Sequence, residues 1–434
     1  NPKEVTFNTT IGGVIKGAGK HDFNATAILT AVPEPGYLFS GWSGALSGTT
    51  NPATLQMNQD YEVNATFVPD LGDSDGDGTS NYAESLLSVA VDRNHTLLLK
   101  TDGSLWAVGG NDKGQLGDGT VLNKTAFTEV QSSGVVGISA GRSHSAYLKA
   151  DGSLWVVGEN DKGQLGDGTT TDRSTPVQIE SGGVIKVACG QSNTLYLKTN
   201  GSVWGTGRNV RGVLGDGTTV DRNSSVQIIP SGVIDLSVGK RNDNHVLFLM
   251  SNGSLWGIGR NQGRLGDGTS TSRYKPIMIR SSGVLGMAAG SQHSMYLDQN
   301  GSLWAMGFNS KGELGVGSTT QRLSPVQVVA SGIAWASTST YTSFFMDSGG
   351  ILWGMGLNDF GQLGDGSTTD RSSPVQVLST TISRRKFSPG VSHTMFLKDD
   401  GSLWGMGDTG SYRMGDGQDA IDLLVPTQIL SGAQ

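Results

Sequence analysis

Seven tryptophans at nearly equal intervals constrain this chain more than any other feature. Trp106, Trp155, Trp204, Trp256, Trp304, Trp353 and Trp404 are 49, 49, 52, 48, 49 and 51 residues apart. Each ends the same short segment, first met as Asp102-Gly103-Ser104-Leu105-Trp106. A period near fifty, with short strands and Gly-rich turns, is the signature of a propeller or an array. The second unit shows the parts. Residues 135–140 form a short apolar strand, 144–149 a second, and Ala150-Asp151-Gly152 a hairpin turn that tolerates positive φ. Residues 153–158 form the third strand, 160–174 a long loop and 176–179 the fourth. In the third strand Leu154 and Val156 face one way, Trp155 and Val157 the other. A sheet apolar on both faces must be covered on both, as a blade wedged between two others is. The 66 glycines among 434 residues, about twice the usual share, supply the turns. The expected fold is therefore all-β: a seven-bladed β-propeller over residues 86–434 with a small N-terminal all-β module over 1–68.

Loop lengths suggest how the ring closes. Only the loop after the Trp strand is long, and short links join neighbours. Each blade is therefore expected to combine one fourth strand with the first three strands of the next unit. On that reading 424–430 pairs beside 86–109 and the two ends of the chain lock the ring.

The recurring elements are Gly-x-x-His-Ser, Asp-Gly-Ser-Leu-Trp-x-x-Gly, Gly163-Gln164-Leu165-Gly166-Asp167-Gly168 and Pro-Val-Gln-Ile. Together they resemble the repeats of the regulator of chromosome condensation family, over about residues 86–434. That resemblance implies a seven-bladed propeller. It does not settle function, because the family spans a nucleotide exchange factor, a photoreceptor, an enzyme inhibitor and bacterial surface proteins.

Residues 5–68 differ in kind. Alternation at Thr26, Ile28, Thr30 and at Val63, Ala65, Phe67 argues for strands. The stretch Gly36-Tyr37-Leu38-Phe39-Ser40-Gly41-Trp42-Ser43-Gly44 resembles internalin-type B repeats, with Trp42 the core anchor. The linker 69–85 carries Asp73-Ser74-Asp75-Gly76-Asp77-Gly78-Thr79-Ser80-Asn81-Tyr82-Ala83-Glu84, the D-x-D-x-D-G-x5-E calcium pattern. A hard cation takes six to eight oxygens. Asp73, Asp75, Asp77, the Thr79 carbonyl, Asn81 and Glu84 are the expected Ca2+ ligands. Ser80 departs from an EF-hand, and the segment also resembles thrombospondin type 3 calcium repeats. Bound calcium is expected to stiffen the junction.

Chemistry is otherwise sparse. Charged residues are 16% and the net charge is -7, a poor basis for nucleic-acid binding. No apolar run is long enough for a membrane helix, so no membrane insertion is expected. A start at Asn1 suggests a processed form or a fragment. Cys189, the single cysteine, is read as a buried small residue. His95, His144, His245, His293 and His393 share one slot, filled by Asn193 and Thr342 in the other two units. Spread around a ring they suit a structural role, each bonding the turn it follows. The Asp of Gly-Asp-Gly recurs six times with Val316 once in its place, which suits a carboxylate capping backbone N–H groups. No nucleophile motif, phosphate loop or carboxylate dyad interrupts the repeats, so no enzyme activity is expected.

The candidate partner-binding residues lie where the repeats differ. Arg93, Arg142, Gln191, Arg241, Gln292, Tyr341 and Val391 precede the shared slot and should gather at one mouth of the channel. Unit four lengthens that turn over 240–244, adding Lys240, and the last long loop offers Tyr412 and Arg413. The slot carries no tryptophan, which argues against photoreception. The expected function is a secreted or cell-surface binding or adhesion scaffold of bacterial type, taking a protein or carbohydrate partner through propeller loops. The alternatives are a specific protein-binding regulator or enzyme inhibitor, a polysaccharide-processing enzyme, and a self-associating structural subunit of an extracellular assembly.

Overall fold

Each tryptophan-bearing unit folds into a four-stranded antiparallel sheet, and every sheet takes its strands from consecutive sequence. The computed structural model describes residues 2–34, 36–71, 87–241, 245–380, 382, 386–417 and 421–431. Blade 1 runs from Ser88–Val91 to Lys124–Gln131, blade 2 from Val135–Ala140 to Arg173–Glu180, blade 3 from Val184–Cys189 to Arg222–Ile229. Blade 4 runs from Val233–Val238 to Arg273–Arg280, blade 5 from Val284–Ala289 to Arg322–Val329. Blade 6 runs from Ile333–Thr338 to Arg371–Leu378, and blade 7 from Phe387–Pro389 to Leu423–Leu430. Third-strand Leu154, Val156 and Val157 are buried and Trp155 is half-buried, stacked on Tyr147 at 6.3 Å. Its indole N–H donates to Ser153 Oγ at 3.0 Å, so the Asp-Gly-Ser turn satisfies the one polar atom of the ring.

The strand exchange expected from loop length does not occur. Leu423–Leu430 pairs with Leu403–Gly407 of its own blade 7, not beside residues 86–109, and among the described residues no blade borrows a fourth strand from its neighbour. The long loop has a different use. It turns back so that the fourth strand pairs antiparallel with the third, Val156 opposite Val177. On the way it clasps the next blade. Gly119 N donates to Ser174 O at 2.9 Å, Gly168 N to Asn223 O at 2.8 Å and Gly366 N to Leu424 O at 2.9 Å. The ring closes by the same kind of side contact: Thr96 Oγ1 donates to Arg413 O at 2.5 Å, and Val91 N to Ser388 Oγ at 3.0 Å. Met414 and Met395 of blade 7 share a core with Leu98 and Val91 of blade 1.

The N-terminal module is a two-layer β unit. One sheet orders Gly19–His21, Lys3–Thr9, Tyr61–Pro69 and Tyr37–Gly44, and the other Gly13–Lys16, Thr26–Pro33 and Ala53–Gln56. Trp42 is its core anchor, buried with Phe7, Leu29, Met57 and Phe67, its N–H donating to Thr50 O at 2.8 Å.

The module docks directly on blades 3 and 4. Thr9 N donates to Thr199 O at 3.1 Å, Gly17 N to Ser251 O at 3.0 Å, and Ser251 Oγ to Ala18 O at 3.0 Å. Ile234 of blade 4 packs against the module core. At Gly201 a Cβ would stand 2.8 Å from the Phe7 ring and 2.7 Å from Gly232 N, so that turn admits only glycine. These contacts sit on the propeller face that carries the Asp-Gly turns. Calcium was expected to stiffen the junction; Asp73, Asp75, Asp77, Thr79, Asn81 and Glu84 lie outside the described residues.

Candidate binding site at one mouth of the channel

An antiparallel blade places its first–second and third–fourth loops on one face and its second–third turn on the other. The module covers part of the second face. The first face carries the Gly-x-x-His turns around the channel and the long loops outside them.

The histidines hold blade to blade. His95 Nε2 lies 2.9 Å from Ser145 Oγ, His144 Nε2 3.1 Å from Thr194 Oγ1, His245 Nε2 2.6 Å from Ser294 Oγ and His293 Nε2 2.7 Å from Ser343 Oγ. Each partner belongs to the following blade, so the side chain does not bond the turn it follows. Ser145, Thr194 and Ser343 donate their hydroxyl protons to the carbonyls of Gln115, Gln164 and Glu313 at 2.7, 2.8 and 2.8 Å. A hydroxyl has one proton to donate, so these three accept from Nε2–H, and His95, His144 and His293 are the Nε2–H tautomer. Burial pushes these imidazoles down, His95 and His293 to about 3, His144 to about 4, and His245 and His393 well below their ordinary value. His95, His144, His245 and His293 are neutral struts; neither ring nitrogen of His393 meets a hydrogen-bond partner among the described residues.

The Gly-Asp-Gly carboxylates cap backbone as expected, Asp167 Oδ1 accepting from Thr169 N at 3.0 Å. The structure adds an ion pair to the residue six positions on. Asp118 meets Lys124 at 2.9 Å, Asp167 meets Arg173 at 2.7 Å, and Asp216, Asp267 and Asp365 meet Arg222, Arg273 and Arg371 at 2.6 Å. These cations are committed to the loop architecture. Among the described residues no three His, Cys, Asp or Glu side chains converge as a metal site.

The inner turns are different, and here the repeats diverge. Lys240 reaches across the channel from blade 4, its ammonium donating to Ala140 O of blade 2 at 2.9 Å and to Val91 O of blade 1 at 3.4 Å. Its neighbour Arg241 turns the other way and lies over Tyr341 of blade 6, 5.1 Å from the ring centroid, with Nη1 3.3 Å from Tyr341 Oη. Gln292 of blade 5 donates to the same Oη at 2.7 Å. The lengthened turn of blade 4 thus ties five blades together over the mouth. Arg93 is exposed, Arg142 half-buried and Gln191 buried around it. Seven of the nine expected partner-binding residues therefore share one surface. Tyr412 and Arg413 belong to the long loop of blade 7, outside the inner turns. Arg413 is a correction: it turns inward, 8% exposed, and bonds Ser392 Oγ and Asp408 Oδ2, both at 2.8 Å, as part of ring closure.

Sequence reading missed Asp92. The slot holds glycine at 141, 190, 239, 290 and 390 and serine at 339, so the lone carboxylate was visible as the odd member. Asp92 is 1% exposed, one carboxylate oxygen has no hydrogen-bond partner, and Lys240 Nζ stands 3.9 Å away. Burial raises its pKa to about 6, with Lys240, Arg142, Arg93 and Arg241 pulling it back. Among the described residues the mouth carries four cations, from blades 1, 2 and 4, with one buried anion beneath them.

Comparison with known families agrees with this architecture. The regulator of chromosome condensation (RCC1) repeat matches residues 102–148, 151–197, 252–297, 300–345 and 349–397, and a second model of that repeat matches 88–115, 135–164, 184–213 and 284–313. A divergent InlB B-repeat domain matches residues 3–71. No curated protein matches the chain. Among solved structures, Prp20p from Saccharomyces cerevisiae, studied for its binding to Gsp1p and histones, is 19% identical with a TM-score of 0.66, covering 80% of this chain and 88% of that one. Yeast RCC1 (Prp20) bound to Kap60 is 18% identical with a TM-score of 0.66, covering 80% and 86%. Human WBSCR16 is 22% identical with a TM-score of 0.62, covering 71% and 85%. At these identities the likeness is one of fold.

Proposed function

Because the chain belongs to the regulator of chromosome condensation repeat family, whose propellers commonly mediate protein binding, we propose that it is a non-catalytic binding scaffold using the face opposite the docked module. The observation that carries this is the inner ring of Arg93, Arg142, Lys240 and Arg241 with Gln292 and Tyr341, drawn from five blades onto one surface. Variable loops on a rigid ring are recognition surfaces, and here the variable positions are the cationic ones. The protein partners named for Prp20p support a protein ligand for this fold, with a glycan the other class to be screened. The N-terminal B-repeat match supports a secreted or surface-displayed bacterial adhesion role. The Asp73–Asp77 and Glu84 spacing supports Ca2+ at the junction, checked by isothermal titration of calcium into wild type and Asp75→Ala. Saturable binding that the variant keeps would remove that site from the proposal.

The test of the main reading screens surface proteins and glycans by biolayer interferometry with wild type, an Arg142→Ala/Arg241→Ala double variant, and Lys149→Ala on the opposite face. Ligands lost only in the double variant support the reading. Ligands that survive it, or turnover of a polysaccharide by wild type, would sink it.

A further inference from the structure

The chain is acidic overall, at net charge -7, yet its channel mouth is not. Among the described residues the seven inner turns carry Arg93, Arg142, Lys240 and Arg241, and their single carboxylate, Asp92, is buried. Just outside them, Glu159 and Asp408 follow the third strands of blades 2 and 7; Asp408 is held by Arg413 at 2.8 Å. The same position holds Arg208 in blade 3 and Arg260 in blade 4. The cations are also pre-set. Arg241 is laid on the Tyr341 ring, which Gln292 fixes from the other side, and Lys240 is tied to the Ala140 carbonyl. A guanidinium already ordered loses less freedom on meeting a carboxylate, and its planar fork matches that group two bonds at a time.

We infer that this mouth takes an acidic polypeptide segment, its Asp or Glu carboxylates seated on Arg93, Arg142 and Arg241; the inference rests on the reading of this face as the binding face. A neutral glycan fits less well. Sugars stack on open aromatic faces, and the one aromatic ring among the inner turns, Tyr341, already has Arg241 over it. Among the described residues of the inner turns, a basic partner would meet four cations and one opposing charge, Asp92, which has no surface to offer. Asp92 sets the strength of the site from below. Its carboxylate lies under the ring and holds Lys240 within 3.9 Å, so it subtracts one charge from the field an acidic ligand meets.

The experiment uses three probes on the full chain: a hexaglutamate peptide, a hexaglutamine peptide and an oligogalacturonate. Affinities are measured at pH 7.5 and two salt concentrations for wild type, Arg142→Ala/Arg241→Ala and Asp92→Asn, each confirmed folded by near-ultraviolet circular dichroism. The expected result is hexaglutamate binding that weakens with salt and falls at least about tenfold in the double variant. Asp92→Asn should tighten it about fivefold, as removal of one negative charge within about a Debye length implies. Hexaglutamine should not bind. Oligogalacturonate binding without peptide binding would overturn the partner class and leave the mouth as the binding face. Binding of neither acidic probe would overturn both. Peptide binding that ignores the variants would overturn the placement.

Discussion

Acid should dismantle this propeller through its buried histidines, and the effect is large enough to read at one residue. His144 is fully buried, donates from Nε2 to Thr194 of the next blade at 3.1 Å, and is held at about 4 by burial. In the unfolded chain an imidazole titrates near 6.5. The folded value is the lower one, so the unfolded state takes up the proton first and stability falls as pH drops from 6.5 toward 4. At pH 5 the gap of 1.5 units from the unfolded pKa amounts to about 2 kcal/mol per histidine. The three rings held at about 3 to 4, His95, His144 and His293, together cost about 6 kcal/mol, comparable to the whole stability of a domain. His144→Asn isolates one of them, with a side chain that blade 3 already carries at Asn193. At pH 7.5 the variant should be less stable by about 1 kcal/mol, for the hydrogen bond to Thr194. By pH 5 it should be more stable than wild type by about 1 kcal/mol, the two curves crossing near pH 6. The assay is urea unfolding at pH 7.5, 6.5, 6.0, 5.5 and 5.0, followed by tryptophan fluorescence. Parallel curves for variant and wild type would show that His144 does not carry the pH dependence, and the strut argument would fail for the whole belt.

Asp92 runs in the opposite sense. Its folded pKa is raised to about 6, so its charged form destabilises the fold above that pH and the penalty fades as the group protonates. Asp92→Asn should add about 1–3 kcal/mol at pH 7.5 and less at pH 5, in the same urea assay; no gain at pH 7.5 would count against it. Asp167→Val leaves the Asn160 amide and Arg173 without their carboxylate and should cost about 1–3 kcal/mol, read as a fall in the midpoint of thermal unfolding. An unchanged midpoint would mean that the capping network is slack. Module and propeller should melt in one calorimetric transition because they share a packed interface. Ile234→Asp, which buries a carboxylate against the module core, should split that transition in two at a cost of about 2–4 kcal/mol to the docking. A single unsplit peak in the variant would refute the coupling.

The sequence by itself determined the repeat unit and most of what it becomes. Period, turn chemistry and two-sided apolar strands define a blade, because a short sheet buried on both faces has few alternatives to a ring. The Asp of Gly-Asp-Gly as a backbone cap follows from local spacing, since its partner lies two residues on, and Trp42 as a core anchor follows from its place in the Gly-Tyr-x-Phe-x-Gly-Trp stretch. The mouth was legible as a set of unlike residues in a like slot. Blade composition was not, because loop length measures reach and not direction: the same long loop can hand over a strand or, as Gly168 and Asn223 show, return and clasp the neighbour. What only the tertiary structure decided are contacts between residues fifty or more positions apart. His144 meets Thr194 one blade away, Lys240 crosses the channel to Ala140, and the Arg413 carbonyl accepts from Thr96 where the ring closes. The module rests on Thr199 and Ser251, more than a hundred positions further along the chain than its own last strand. Periodicity is a property of near neighbours along the chain. The field at the channel mouth is a sum over seven turns that meet only when the ring closes, and Asp92 acquires its meaning there.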